Sequence, residues 1–320
     1  MARQTLPIPS SVIRSVSEKL CLVGCNIRCS EPMSHYASFR IGGIAPWLVV
    51  PFDGEALIQV VNLLRTEAIE YRLIGKASNL LIPDDPLPFA VLSTANLASI
   101  RWKQTGDVAL LEVGSGHDLT QLSWTLSQKG FTGLEFACGI PGSVGGGVWM
   151  NAGAFGGTMA SVVRGIHYYD PISNRLSYMT ATEAAFAYRY SLFQSHPDWI
   201  ILSVEFELPL ADTPEIPIQV AKTHIAKRWE KQPLEYPSAG SIFRKPSESF
   251  HVGKAIETLG LKGFRVGDAE ISAKHAGFII NRNKAKFEDV LSMIAYIQRE
   301  VRNHYKVHLE PEVQIWRIQE

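Results

Sequence analysis

Three short stretches of this chain set charged or hydroxyl side chains among small or aromatic neighbours, and each suggests a chemistry. In Tyr188-Arg189-Tyr190-Ser191 an arginine lies among aromatic rings, where a guanidinium can neutralise an anionic ligand or orient a flat one. Its plain alternative is a solvated surface arginine. In Ser238-Ala239-Gly240-Ser241 the small neighbours leave the hydroxyls accessible, for proton transfer or simply as turn residues. Glu310-Pro311-Glu312-Val313 brings two carboxylates up to an apolar segment, Ile315-Trp316-Arg317-Ile318, and its plain alternative is a solvated strand edge. The stretches are distant in sequence. No Ser-His-Asp spacing, zinc-protease His-Glu-x-x-His or glycosidase-type carboxylate pair occurs, so simple hydrolysis has little support.

Two loops of small residues could supply a cofactor site. Gly139 to Gly157 holds eight of the 25 glycines in 19 residues with almost no charge. Such a run makes a poor helix and a poor strand, and its uncovered amides can lie against a phosphate or a flat ring system. A corner where two elements pack closely is the alternative. The second loop is Gly75-Lys76-Ala77-Ser78-Asn79. Neither loop is a Rossmann fingerprint or a P-loop. Two loops on separate units can instead clamp one extended dinucleotide, donating N–H groups to its pyrophosphate without a single helix dipole.

The elements that must position these loops follow from periodicity. Residues 10 to 23 predict an amphipathic helix, with Val12, Ile13, Val16 and Leu20 at helical spacing. Ala45 to Pro51 predicts a buried strand, Gly54 to Thr66 a helix and Tyr71 to Ile74 a strand, an order that fits a parallel β-α-β pair. The second loop then falls at the end of a strand, where α/β units usually place ligand loops. Val108 to Val113 predicts a strand, Leu119 to Lys129 a helix, and strands recur at Gly165 to Tyr169 and Trp199 to Leu208. Pro209, Pro214 and Pro217 mark the best domain boundary. A basic helix ending near Lys231 follows, and Val290, Leu291, Ile294, Ile297 and Val301 line one face of a long helix in what reads as a smaller α+β domain. The expected division is a helical cap at 1–30, a unit of two α/β subdomains at 31–208 and a C-terminal unit at 209–320.

Composition narrows the classes. With 320 residues and 46% hydrophobic content the chain can bury a large core. Lys plus Arg equals Asp plus Glu, 31 each, so no net field draws it to nucleic acid or an anionic membrane. The first twenty residues hold no continuous apolar stretch and no segment approaches a membrane span, so a cytoplasmic protein is expected, and a monomer. Cys21, Cys25, Cys29 and Cys138 are too few for a disulfide framework. The first three would share a face only on a helix, and Gly24 argues against one, so no metal is expected.

Seven motifs in order carry a resemblance that covers roughly residues 30 to 315: SFRIGG at 38–43, SNLLI at 78–82, GLEFACGIPGSVGGGVWMNAGAFGG at 133–157, YRYSLF at 188–193, KQPLEYPSAGSIF at 231–243, KHAGFIIN at 274–281 and LEPEV at 309–313. Their collinearity resembles the UDP-N-acetylenolpyruvoylglucosamine reductases, flavoenzymes of peptidoglycan precursor synthesis. The resemblance implies a vanillyl-alcohol-oxidase-like FAD-binding domain, α/β in character, followed by an α+β substrate domain. It implies FAD reduced by NADPH, then a hydride from the flavin N5 to C3 of the enolpyruvyl group of a UDP-sugar and a proton to C2. Carried over by residue, Arg189, Ser241 and Glu312 form the catalytic set, with Ser241 the proton donor. Gly75, Lys76, Ala77, Ser78, Asn79 and Leu80 would hold the cofactor from one side. Gly139, Ile140, Pro141, Gly142, Ser143, Gly145, Gly146, Asn151 and Gly153 would hold it from the other. Tyr188, Lys231, Gly240, Arg244 and His275 would line the substrate site, and the YRYS form resembles the shorter subtype without an extra loop over the substrate.

The chain departs from the family pattern at three points. Ala77 stands where a second glycine is usual, Arg244-Lys245-Pro246 replaces Lys-Asn-Pro, and the terminal IWRIQE replaces a glycine-terminated strand. A methyl group at 77 is tolerated if φ is negative and strained otherwise. Two rival readings are another oxidoreductase on the same flavin fold and a flavin-binding protein without turnover.

Overall fold

The computed structural model describes residues 8–318. Its first sheet has the order β1 (Cys25–Pro32), β2 (Ile44–Pro51), β5 (Ala90–Ser93), β3 (Tyr71–Ile74). β1 is antiparallel to β2, and β5 runs parallel to both β2 and β3. The expected β-α-β therefore exists, with β5 inserted between its two strands. α1 (Ser10–Leu20) and α2 (Gly54–Thr66) cover one face, packing Val16, Leu20, Leu57, Val60 and Leu64 against Trp47, Val49 and Leu92. Asp53 starts α2 by accepting the Ala56 N–H at 2.8 Å. The other face, with Leu48, Phe89 and Val91, is covered in part by Trp316 and Ile318 from the far end of the chain.

The second sheet is wholly antiparallel, in the order β11 (Arg175–Thr180), β10 (Val163–Asp170), β12 (Ile200–Pro209), β7 (Val108–Gly114), β6 (Ile100–Thr105). α3 (Leu119–Gln128) and α4 (Val144–Trp149) share its core through Leu119, Leu122, Val144 and Val148. α4 corrects the expectation for the glycine-rich run. Ser143 accepts the Gly146 N–H at 3.2 Å and starts one and a half turns of helix inside it. Its glycines are needed for contact: a β-carbon at Gly145 would stand 2.7 Å from Ser115 Cβ. Packing corner and ligand loop are thus the same segment.

The third sheet has the order β13 (Ser238–Ser241), β16 (Phe278–Asn281), β15 (Ala269–Ile271), β14 (Arg265–Val266), backed by α6 (Val252–Thr258) and α7 (Phe287–Tyr305). Val290, Ile294, Ile297 and Val301 of α7 enter its core as their spacing predicts, and so do Phe39, Ile41 and Leu81 from the first unit. A short parallel pair, β4 (Leu80–Leu81) with β17 (Gln314–Ile315), sews the two units together, and a small hairpin of β8 (Gly153–Ala154) and β9 (Gly157–Thr158) closes the glycine-rich run.

These contacts cross the expected divisions. β1 straddles residue 30 as an edge strand of the first sheet, because its backbone finds its partners in β2. α5 (Glu215–Lys231), which follows the prolines, packs back against α3 and the 135–137 turn of the second unit. Cys21 follows α1 while Cys25 and Cys29 lie on β1, so the three do not share a helix face. Burial pushes the Cys25 thiol up to about 11.

Candidate active site

Arg189 sits in a tight turn in which Ala187 and Tyr190 exchange backbone hydrogen bonds of 3.1 Å. Its φ is 55°, a conformation costly for a residue with a β-carbon. Neighbours hold it there. The Gln194 side-chain amide donates to Arg189 O at 3.0 Å and to Trp149 O at 2.9 Å, while Asn151 donates to Ala187 O at 2.8 Å. The turn aims the guanidinium at a carboxylate from the far end of the chain: Arg189 Nε donates to Glu312 Oε1 at 2.7 Å and Nη2 to Gly153 O at 3.2 Å. Only 20% and 14% of the two side chains are exposed, so water screens the pair weakly.

Glu312 is placed by backbone on both sides. The Glu312 N–H donates to Ile242 O at 2.6 Å and the Arg244 N–H to Glu310 O at 2.9 Å, so residues 310–312 run antiparallel to 242–244. On the opposite side Asn79 Nδ2 donates to Glu312 O at 3.0 Å, and the Gln314 N–H donates to Asn79 O at 2.9 Å. One short strand thus lies between the Ser241 strip and the SNLLI loop. Burial holds the Glu312 carboxyl above the usual carboxylate range, against the opposing pull of Arg189 and Arg244. Ser241 is exposed, and it follows Gly240, whose φ of 79° breaks the pairing register of β13 with β16. That irregularity sets the serine one residue from the backbone that grips Glu312.

The two cofactor loops meet. The Ser143 hydroxyl lies against the α-carbon of Gly75 so closely that no β-carbon would fit there. Lys76 forms an ion pair with Asp118, which also caps α3 through the Gln121 N–H at 2.8 Å. Among the described residues, the backbone N–H groups of Lys76, Ala77, Ser78 and Asn79, and of Gly142 and Ser143, donate to no protein acceptor. Two adjoining loops with free donors, and glycine where a side chain would intrude, fit the diphosphate and flat ring of FAD. Ala77 has φ 47°, so its methyl group stands in the strained case rather than the tolerated one. Asn151 differs from expectation. Its side chain is buried and bonds Ala187 O and the Ala160 N–H, so it supports the Arg189 turn.

Other expected residues fall at different distances from this centre. Tyr188 packs beside the Arg189 guanidinium, 5.3 Å from ring centre to carbon, and its hydroxyl accepts the Lys245 N–H at 3.2 Å. Arg244 turns a buried Nε without a partner toward this region, and its charge reaches Glu312. Lys231 is exposed at the end of α5, its ammonium making no hydrogen bond or ion pair among the described residues. His275 is half-buried against Gly253, accepting the Gly277 N–H at 3.0 Å on Nδ1, and burial lowers its pKa. Sequence reasoning missed Gln194, Asp118 and Arg228. Gln194 lies in the YRYSLF neighbourhood and that proximity was its only signal.

The FAD binding domain family matches residues 45–172, and the C-terminal domain family of UDP-N-acetylenolpyruvoylglucosamine reductase matches residues 232–316. The reductase of that name from Petrotoga mobilis is 45% identical over 295 residues, covering 92% of this chain and 96% of its own. That from Thermotoga maritima is 41% identical, covering 89% and 97%. The crystal structure of the reductase from Thermus caldophilus superposes with a TM-score of 0.77 at 29% identity, covering 92% of this chain and all of its own. With both domains matched in order and the relatives covered nearly end to end, the chain belongs to the UDP-N-acetylenolpyruvoylglucosamine reductase family.

Proposed function

We propose that this protein reduces the enolpyruvyl group of UDP-N-acetylenolpyruvoylglucosamine to the lactyl group of UDP-N-acetylmuramate, in peptidoglycan precursor synthesis in the cytoplasm. Bound FAD, recharged by NADPH, supplies the hydride. The cofactor rests on the residue 75–80 loop and the residue 139–153 loop, with Lys76 tied to Asp118 between them. We assign the cofactor to residues 31–208 with α5 at their side, and the substrate contacts mainly to the part after α5.

The observation that carries the reading is the Arg189–Glu312 pair, gripped from the glycine-rich loop by Gly153, from SNLLI by Asn79 and from the serine strip by Ile242. Hydride arrival at C3 builds negative charge on C2 and the adjoining carboxylate of the substrate, and a fixed cation lowers the energy of that charge. Arg189 is that cation. Glu312 holds the guanidinium in place, and its carboxyl, biased toward the protonated form by burial, offers a hydrogen bond to the enolate-like oxygen. Ser241 Oγ gives its proton to C2, which completes the addition of two hydrogens across the double bond. Tyr188, Arg244 and Lys231 offer polar groups to the anionic UDP-sugar. The purified protein should be yellow, bleach with NADPH and regain colour when the enolpyruvyl substrate is added. Bleaching without recovery would leave a flavoenzyme with another substrate, and absence of bleaching a flavin-binding protein without turnover.

A further inference from the structure

Arg228 is a buried cation with no counter-charge. It lies in the last turns of α5, 7% exposed, with Nε donating to Cys138 O at 3.1 Å and Nη2 buried without a partner. Its guanidinium carbon stands 5.2 Å from the ring centre of Phe155, which stacks flat on His224 at 4.0 Å. Its Cδ lies 2.8 Å from where a β-carbon on Gly139 would be, so the first glycine of the run is needed to let this arginine in.

The charged groups around it do not neutralise it. Burial lowers the pKa of Arg228 against the pull of the Cys138 thiol, whose own ionisation burial opposes, and Arg189 is a second cation that lowers it further. Glu312 is held by Arg189. The buried Glu135 carboxylate turns instead to the Thr132 hydroxyl and the Gly133 N–H. No ion pair to Arg228 exists among the described residues. A buried charge without a partner is strongly unfavourable, and a chain that keeps one needs a negative group to complete it. Both ends of the arginine's environment, Gly139 and Phe155, belong to the glycine-rich loop.

We propose that Arg228 is an electrostatic residue of the cofactor site, and that the negative charge of bound FAD serves as its counter-ion. This rests on the assignment of FAD to the glycine-rich loop. That charge has two sources, the permanent diphosphate and the isoalloxazine ring, which becomes more electron-rich on reduction. A purely structural arginine would only fasten α5 to Cys138.

The test compares the holoenzyme with Arg228→Met, Arg228→Gln and Arg228→Lys. Gln keeps an N–H donor for Cys138 and serves if Met does not fold. Flavin release on dilution gives the FAD dissociation constant, and equilibration with a redox dye gives the midpoint potential. Loss of the charge is expected to weaken oxidised FAD at least tenfold, which assigns the diphosphate. Otherwise it should disfavour reduction at least tenfold, a drop of about 30 mV for a two-electron couple, which assigns the ring. Arg228→Lys should restore most of either effect. If Met and Gln leave both quantities within twofold of wild type while lowering thermal stability, the proposal is overturned. A wild-type protein that takes up no FAD at all would instead remove the cofactor assignment on which it rests.

Discussion

Ala77 and Arg189 hold the backbone at nearly the same positive φ, 47° and 55°, in two loops that meet at the same site. The Arg189 turn is caught on every side: Gln194 on its carbonyl, Asn151 on Ala187, Glu312 and Gly153 on the guanidinium. At Ala77 the polar grip is one backbone bond, the Ser38 N–H donating to its carbonyl at 3.2 Å, and the residue lies in the buried cluster of Met33, Ile74 and Ile82. One strained residue presents the guanidinium that pairs with Glu312. The other carries a methyl group that the conformation disfavours and that no polar contact requires. Strain at a ligand site therefore has to be read with its neighbours, because the same dihedral accompanies a functional group in one loop and only a departure from glycine in the other.

The contrast predicts a series of effects. Arg189→Met should lose about 10²–10³ in the rate of the substrate half-reaction, as removal of a charge-stabilising donor does. Stopped-flow flavin reoxidation measures it, and a loss confined to NADPH oxidation would move Arg189 out of the substrate step. Gln194→Ala leaves Arg189 O without its donor, while Trp149 O keeps the Ser191 hydroxyl, and should cost about 1–3 kcal/mol of stability by denaturant unfolding, together with a slower substrate step. If activity stays at the wild-type level, the turn does not need that brace.

Glu312 adds a pH dependence. Its folded pKa is raised by burial, so its contribution to stability is full below the unfolded carboxylate value and is lost as pH rises through the folded one. Glu312→Gln should flatten the stability profile over that acid window. An unchanged slope would mean that another group titrates there. Smallest is Ala77→Gly. Relief of the left-handed strain, reduced by the greater backbone freedom of glycine, should stabilise by about 0.5–1 kcal/mol. A destabilised variant would show that the methyl group packs usefully in its buried position.

Much of this site was legible because ordered motifs mark loops whose backbone matters. Gly75, Gly139 and Gly145 stand where β-carbons would collide with Ser143, Arg228 and Ser115, so residue type reports the packing directly. Helices α2 and α3 were legible from periodicity, while their caps Asp53 and Asp118 emerge only from the structure. The convergence of Arg189 and Glu312 is visible in sequence only through family resemblance, since 123 positions separate them. α4 was hidden because glycine propensity argues against helix, whereas Ser143 and close packing favour one here. Arg228 was hidden for the opposite reason: a charged residue in a basic helix reads as solvated, and only the fold turns it inward.

On the proposed function, Ser241 protonates C2 while the two loops hold a working flavin independently of it. Rapid mixing of Ser241→Ala with NADPH, and then of the reduced enzyme with the enolpyruvyl substrate, tests it most directly. Flavin reduction is expected at the wild-type rate and product formation slowed by about 10²–10⁴-fold, the range for loss of a general acid. Product formation at the wild-type rate would contradict it.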